Sequence, residues 1–221
     1  MHEFTPWPKT PRLFRDIVVT EKLDGTNAAI HISAVADNAL HEADGDRLTY
    51  VDGKWFALSV QSRKRMITPG KSTDNYGFAG WVNDNAAQLV RLLGEGIHYG
   101  EWWGQGIQRG YGLETRRFSL FNTARHAGVL VKVGAAYVDT VPVLYTGTFS
   151  EGEIWGAVDK LKLSGSVAAP GFMNPEGVCV FHKASGRVFK VTADHQDGNP
   201  EQLASGPLND APRRDLSKWE A

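Results

Sequence analysis

Short β-branched or loosely alternating apolar runs set off by turn residues dominate this chain, and the clearest helical spacing lies at residues 78–93. Residues 17–20 form a β-branched run that predicts a strand ending at Lys22. Residues 27–33 alternate loosely as a second strand, with Asp24-Gly25 as the turn signal between the two. Arg47–Val51 and residues 55–61 read as hairpin strands, set off by Asp44-Gly45 and Asp52-Gly53. Residues 78–93 predict a helix: Trp81, Val82, Ala86, Leu89, Val90 and Leu93 fall on one face, and Gly94 stops it. Short strands follow at 97–101, 118–121, 129–137 and 141–144, then a second helix at 151–163. Residues 176–181 and Arg187–Thr192 read as a hairpin turned by Ala184-Ser185-Gly186. The lead-in to Asp16 carries Pro6, Pro8 and Pro11 and reads as extended. The polar stretch 195–221 reads as loop or a short terminal helix. Strands outnumber helices and no βαβ alternation appears. The expectation is an α+β domain with antiparallel β-sheets flanked by a few helices.

The length of 221 residues suits a single domain over 1–221, with no boundary, repeat or low-complexity tract inside it. Hydrophobic residues at 42% and charged residues at 22% are ordinary globular usage. The net charge of −1 argues against a surface that grips a duplex by charge alone, while leaving room for a local basic groove. The single cysteine, Cys179, has no internal disulfide partner, which suits a reducing, cytoplasmic setting. The first sixteen residues lack the apolar core of a signal peptide, and no apolar run approaches a membrane span of ~18 residues. His31, His41, His98, His126, His182 and His195 do not fall at zinc-ligand spacing.

The chemistry concentrates in short segments. Glu21-Lys22-Leu23-Asp24-Gly25-Thr26-Asn27 puts a lysine where a strand meets a glycine-containing turn, a corner that can aim an amine into a cleft. Taken alone, Lys-x-Asp-Gly reads more readily as a hairpin turn beside a solvated lysine than as a reactive site. An amine attacks phosphate only when neutral, and free lysine titrates near ~10.4, so a nucleophilic lysine needs help from its site. Ser62-Arg63 is followed by Lys64 and Arg65, either a solvated basic loop or a phosphate clamp, since guanidinium binds phosphate bidentately. Gly100-Glu101 sets a carboxylate beside glycine, suited to ribose hydroxyls, and the glycine-rich stretch after it brings Arg109, Arg116 and Arg117 as candidate phosphate contacts. Phe118 and Phe121 face opposite sides of a strand, so only one can stack on a base. Glu176-Gly177-Val178 offers a carboxylate for a divalent metal, and Phe189-Lys190-Val191 a cation for transition-state charge.

In this order, these segments resemble the motifs of the covalent nucleotidyltransferases, and most closely those of the ATP-dependent RNA ligase family. The resemblance spans about residues 17–192. It implies a nucleotidyltransferase (ATP-grasp-like) ligase catalytic domain that uses ATP and Mg²⁺ or Mn²⁺. In such enzymes the lysine of KxDG, here Lys22, carries AMP, which passes to an RNA 5′-phosphate end that is then sealed to a 3′-hydroxyl. The resemblance implies that Glu21 helps read the adenine edge, that Asp24, Gly25, Arg63 and Glu101 bind the nucleotide, and that Phe121 stacks on the purine. It further implies that Asn27 supports the joining step, that Glu176 holds the metal, and that Lys190 binds the α-phosphate and serves catalysis. Two departures stand out. Asn122 replaces an aspartate, and Thr192 stands where members often have a second lysine, for which Lys183 is a candidate substitute. A GTP-dependent capping-type guanylyltransferase, a minimal DNA ligase and a nucleotide- or RNA-binding module without catalysis are the alternatives. Whether the RNA ends lie in a nicked duplex is open.

Overall fold

A computed structural model describes residues 3–42 and 45–193, so the expectation for 195–221 lies outside the described residues. Among the described residues, twelve strands and three α-helices follow in the order β1 (Asp16–Lys22), β2 (Thr26–Val35), β3 (Arg47–Val51), β4 (Lys54–Ser62), β5 (Met66–Ile67), α1 (Phe78–Asp84), α2 (Ala86–Leu93), β6 (Gly96–Gly104), β7 (Arg116–Leu120), β8 (Leu130–Val133), β9 (Ala136–Thr140), β10 (Val143–Thr148), α3 (Glu151–Ser164), β11 (Gly177–His182) and β12 (Arg187–Thr192). They build two sheets. One has the order β10-β1-β11-β12; the other runs β3-β4-β2-β6-β7-β9-β8, with β5 on the end of β4. The α+β expectation holds, and the sheets are antiparallel except for β7 and β9, which pair in parallel.

Each sheet buries one face under helices. In the larger sheet, Ala28, Ile30, Ile32, Leu58, Val60, Trp102, Phe118, Leu120 and Val138 form one core with Phe78, Trp81, Val82, Leu89, Val90 and Leu93 of α1 and α2. In the smaller sheet, Ile17, Val19, Val178 and Val180 pack with Ile154, Ala157, Val158 and Leu161 of α3. A third cluster, Leu23, Trp103, Tyr111, Val141 and Ala169, lies where the chain passes from one sheet to the other. Helix α3 starts at Ser150, whose hydroxyl accepts from the Glu153 amide, a local cap the sequence encodes directly.

Three expectations change. The 78–93 helix is two helices. The Asn85 side chain donates to the Trp81 carbonyl at 2.7 Å, taking the acceptor that its own amide would use in a continuous helix; the amide bonds Val82 O instead. Asparagine side chains compete with helical hydrogen bonds in this way. The 129–137 run is likewise two strands, because Gly134 turns it with φ +57°. Finally, Asp24-Gly25 is not a hairpin turn. Both edges of β1 are occupied, by β10 and β11, and β2 lies between β4 and β6, so the two consecutive strands belong to different sheets.

Gly177 opens β11, opposite Thr192 of β12. Its φ is +143°, and a Cβ there would run into Val191 O and lie 2.8 Å from Thr192 Cα, both backbone atoms. Gly53 also has positive φ, at +84°, but faces open space. We expect Gly177→Ala to destabilise by about 2 kcal/mol or more and Gly53→Ala by about 1 kcal/mol, measured by denaturant unfolding. Equal costs would show that the crowding at Gly177 relaxes freely.

Candidate active site

The seam between the sheets collects the charged side chains. Lys22 ends β1 opposite Gly177, and its Nζ lies 2.5 Å from Glu176 Oε2. Both side chains are about four-fifths shielded from water. Across the seam, Glu101 on β6 stands opposite Asn27 on β2 and Ser119 on β7. Its Oε1 accepts the Gly25 amide at 3.2 Å. Burial pushes the Glu101 carboxyl up to about 7, partly offset by the Lys22 charge and the Gly25 hydrogen bond. Gly25 is there because nothing larger fits: a Cβ would meet Trp102 O at 2.5 Å and Trp103 Cβ at 2.6 Å.

Asp24 is held twice. Its amide donates to the Tyr111 hydroxyl at 2.8 Å, and its Oδ2 accepts from Arg109 Nε at 2.9 Å. Burial raises the Tyr111 phenol, so it stays neutral. Arg63 is exposed, one residue past Ser62, which pairs with Ala28. It therefore lies beyond the end of β4, beside the row that carries Asn27 and Glu101. Phe121 follows β7 directly and is 41% exposed. Its amide donates to Tyr99 O, which keeps it on the Glu101 face of the sheet. Phe118, on the other face, is fully buried against Phe78, with ring centroids 5.0 Å apart. Lys190 is opposite Cys179, which is opposite Thr20, so strand alternation sets Lys190 on the Lys22 face of the smaller sheet.

Several side chains are held differently from the sequence expectation. Glu21 points away from Lys22, as neighbours on a strand must. Its carboxylate is 1% exposed and accepts from Ser166 Oγ at 2.5 Å and from the Val167 and Ala168 amides at 2.8 and 2.9 Å. That carboxylate anchors the 166–169 loop. Lys183 sits 3.5 Å from Asp16, at the far end of β1 from Lys22, and cannot stand in for a second lysine. The position of that lysine, Thr192, faces Gly177 in the same row as Lys22. The rim arginines are turned inward. Arg116 donates to Gln105 O and Tyr76 O, Arg117 pairs with Asp139 at 3.2 Å, and Arg109 holds Asp24. Arg65 donates to Thr73 O, while Arg63 and Lys64 remain exposed on the turn after β4.

Tyr111 and Ser166, and the role of Arg109 as a brace for Asp24, had no signal in the sequence. Their partners lie 87, 145 and 85 positions away, and no local pattern announces such contacts.

Glu176 fits a divalent cation. Its Oε2 is buried and accepts no aligned hydrogen bond, although the Lys22 ammonium lies beside it. Hard cations take such oxygens together with phosphate and water. Among the described residues no group of three His, Cys, Asp or Glu side chains is placed to hold a metal. Among the same residues no helix is long and apolar enough to cross a membrane.

No curated protein matches the chain. Solved structures do. A lysine-to-methionine variant of the Naegleria gruberi RNA ligase with AMP and Mn is 15% identical, with a TM-score of 0.45 over 81% of this chain and 50% of that one. A lysine-to-alanine variant of the same ligase with ATP and Mn is 14% identical, with a TM-score of 0.44 over 80% of this chain and 49% of that one. The chain thus spans about half the length of the solved structures it matches. A family model described as RNA ligase matches residues 15–195, which takes in both sheets and every residue of the seam. The chain belongs to the RNA ligase family.

Proposed function

We propose that this chain is the adenylating part of an ATP-dependent RNA ligase, with Lys22 as the nucleophile. The observation that carries the reading is the Lys22–Glu176 pair at 2.5 Å in the seam, with Glu101 across from it, in a chain of this family. An ammonium held by a carboxylate is not a nucleophile. It becomes one when its proton leaves and the carboxylate finds another cation. Then the Lys22 Nζ–Pα bond forms, the bond from Pα to the bridging oxygen breaks, and pyrophosphate departs. AMP next passes to an RNA 5′-phosphate, and a 3′-hydroxyl displaces it to close the strand. Glu176 would hold Mg²⁺ or Mn²⁺, and such a cation would neutralise phosphate charge in the step. Glu101 and Arg63 would bind ribose and phosphate, Phe121 would stack on the purine, and Lys190 would steady the α-phosphate. Asn27, in the Glu101 row, would support the joining step. The matched ligase was solved with ATP and Mn, which agrees with these cofactors.

Incubation with ATP and Mg²⁺ followed by intact and peptide mass spectrometry should give one adenylate on Lys22. Lys22→Ala and Lys22→Arg should give none, because neither offers a neutral amine. An adduct on another residue in those variants, or none in the natural chain, overturns the reading.

Glu176→Ala should lower adduct formation by about a hundredfold or more and weaken its metal dependence, while leaving the melting temperature within a few degrees. A lowered melting temperature with unchanged Mg²⁺ dependence would mark Glu176 as a structural acid.

Glu101 supplies a test by pH. In the folded chain its carboxyl keeps its proton up to about pH 7, against 4.5 for an ordinary glutamate. The folded state therefore binds more protons than the unfolded state between those values. Stability falls as pH rises through that window and levels off above it. Glu101→Gln should flatten this part of the profile, seen by denaturant unfolding at about pH 5 and about pH 7.5. An unchanged slope would show that other groups set it.

A further inference from the structure

The glycine-rich loop between β6 and β7 does more than border the cleft. Arg109, at its centre, reaches two chain segments at once. Its Nε donates to Asp24 Oδ2 at 2.9 Å. Its Nη1 donates to Asn174 O at 2.8 Å, to Asn174 Oδ1 at 3.1 Å and to Pro175 O at 3.3 Å. Asp24 comes two residues after Lys22, and Pro175 immediately precedes Glu176. The guanidinium therefore spans the segments that deliver the two members of the ion pair. One segment leads into the larger sheet and the other into the smaller, so the link crosses the seam.

The loop is shaped for this. Gln108 and Tyr111, on either side of Arg109, hold left-handed φ values of +46° and +53°, which non-glycine residues adopt only where the surroundings over-determine them. Tyr111 supplies that determination. It is buried between Trp103 and Phe172, and its hydroxyl takes the Asp24 amide. A planar fork of donors can serve two separated acceptors with fixed geometry; a lysine ammonium cannot.

We propose that Arg109 is a positioning residue for adenylation: by tying the turn after Lys22 to the lead-in of Glu176, it sets the spacing of amine and carboxylate. This rests on the reading that Lys22 takes AMP. A simple staple would add stability and nothing else. A positioning residue also governs how readily Glu176 meets a cation and how well the amine lines up, so its loss changes rate and metal dependence in folded protein.

The full chain with Arg109→Gln and with Arg109→Lys is compared with the natural chain in single-turnover adenylation across a Mn²⁺ titration. Mn²⁺ binding is read separately from the electron paramagnetic resonance of the free ion. In both variants the rate should fall about tenfold or more and half-saturating Mn²⁺ should rise several-fold in both readouts, with half-saturating ATP changed less than about twofold. Arg109→Lys keeps the charge, so its failure would mark the fork geometry as the cause. Normal rate and Mn²⁺ dependence in folded variants, with only a lower melting temperature, overturn the inference and leave the ligase reading intact. Failure of both variants to fold overturns it in favour of a staple. No adenylate on Lys22 in the natural chain overturns the ligase reading and this inference together.

Discussion

The constraint on which the site depends is the crossing from β1 to β2. Both strands are hydrogen-bonded on both edges, yet they lie in different sheets, and only Leu23, Asp24 and Gly25 separate them. In that distance the chain must leave one sheet and enter the other. Leu23 anchors the crossing in the small cluster with Trp103 and Tyr111, and Gly25 presses its backbone against Trp102 and Trp103. Lys22 is thereby the last residue of one sheet, and the Gly25 amide is handed to Glu101 of the other. A looser connection would leave the amine and the two carboxylates on independent elements.

Around that crossing, charges of both signs are packed at partial burial, where their mutual effects are larger than on an open surface. Burial favours the protonated form of Glu101, and the nearby Lys22 charge opposes it. Asp24 is neutralised by Arg109, Asp139 by Arg117, and Lys22 by Glu176. The consequence for ligand binding is that most cations near the seam already have internal partners. The exposed turn at Arg63 and Lys64, and Lys190 on the smaller sheet, face solvent. Exposed Tyr99 at 47% and Phe121 at 41% lie beside one another on the Glu101 face and present aromatic surface instead of charge.

The sequence by itself determined the elements whose cause is local. A β-branched run marked β1, loose alternation marked β2, turn signals set off the β3–β4 and β11–β12 hairpins, and a helical face ending before glycine marked the end of α2. The segments holding Lys22, Asp24, Glu101, Glu176 and Phe121 carried the resemblance to one nucleotide chemistry; strand parity said only that Phe118 and Phe121 face opposite sides, and the resemblance chose Phe121. Tertiary structure decided whatever depends on partners remote in the chain. It moved β1 and β2 into separate sheets, because hydrogen-bond partners for both edges came from residues 143–148 and 177–182. It turned Glu21 to a loop 145 positions away, and it turned the rim arginines inward to carbonyls and carboxylates that no pattern could pair with them. Asn85 split a helix that periodicity drew as continuous, since a side chain competing for Trp81 O leaves the hydrophobic pattern untouched. Periodicity reports which face is buried; only the folded chain decides what each polar group on that face meets.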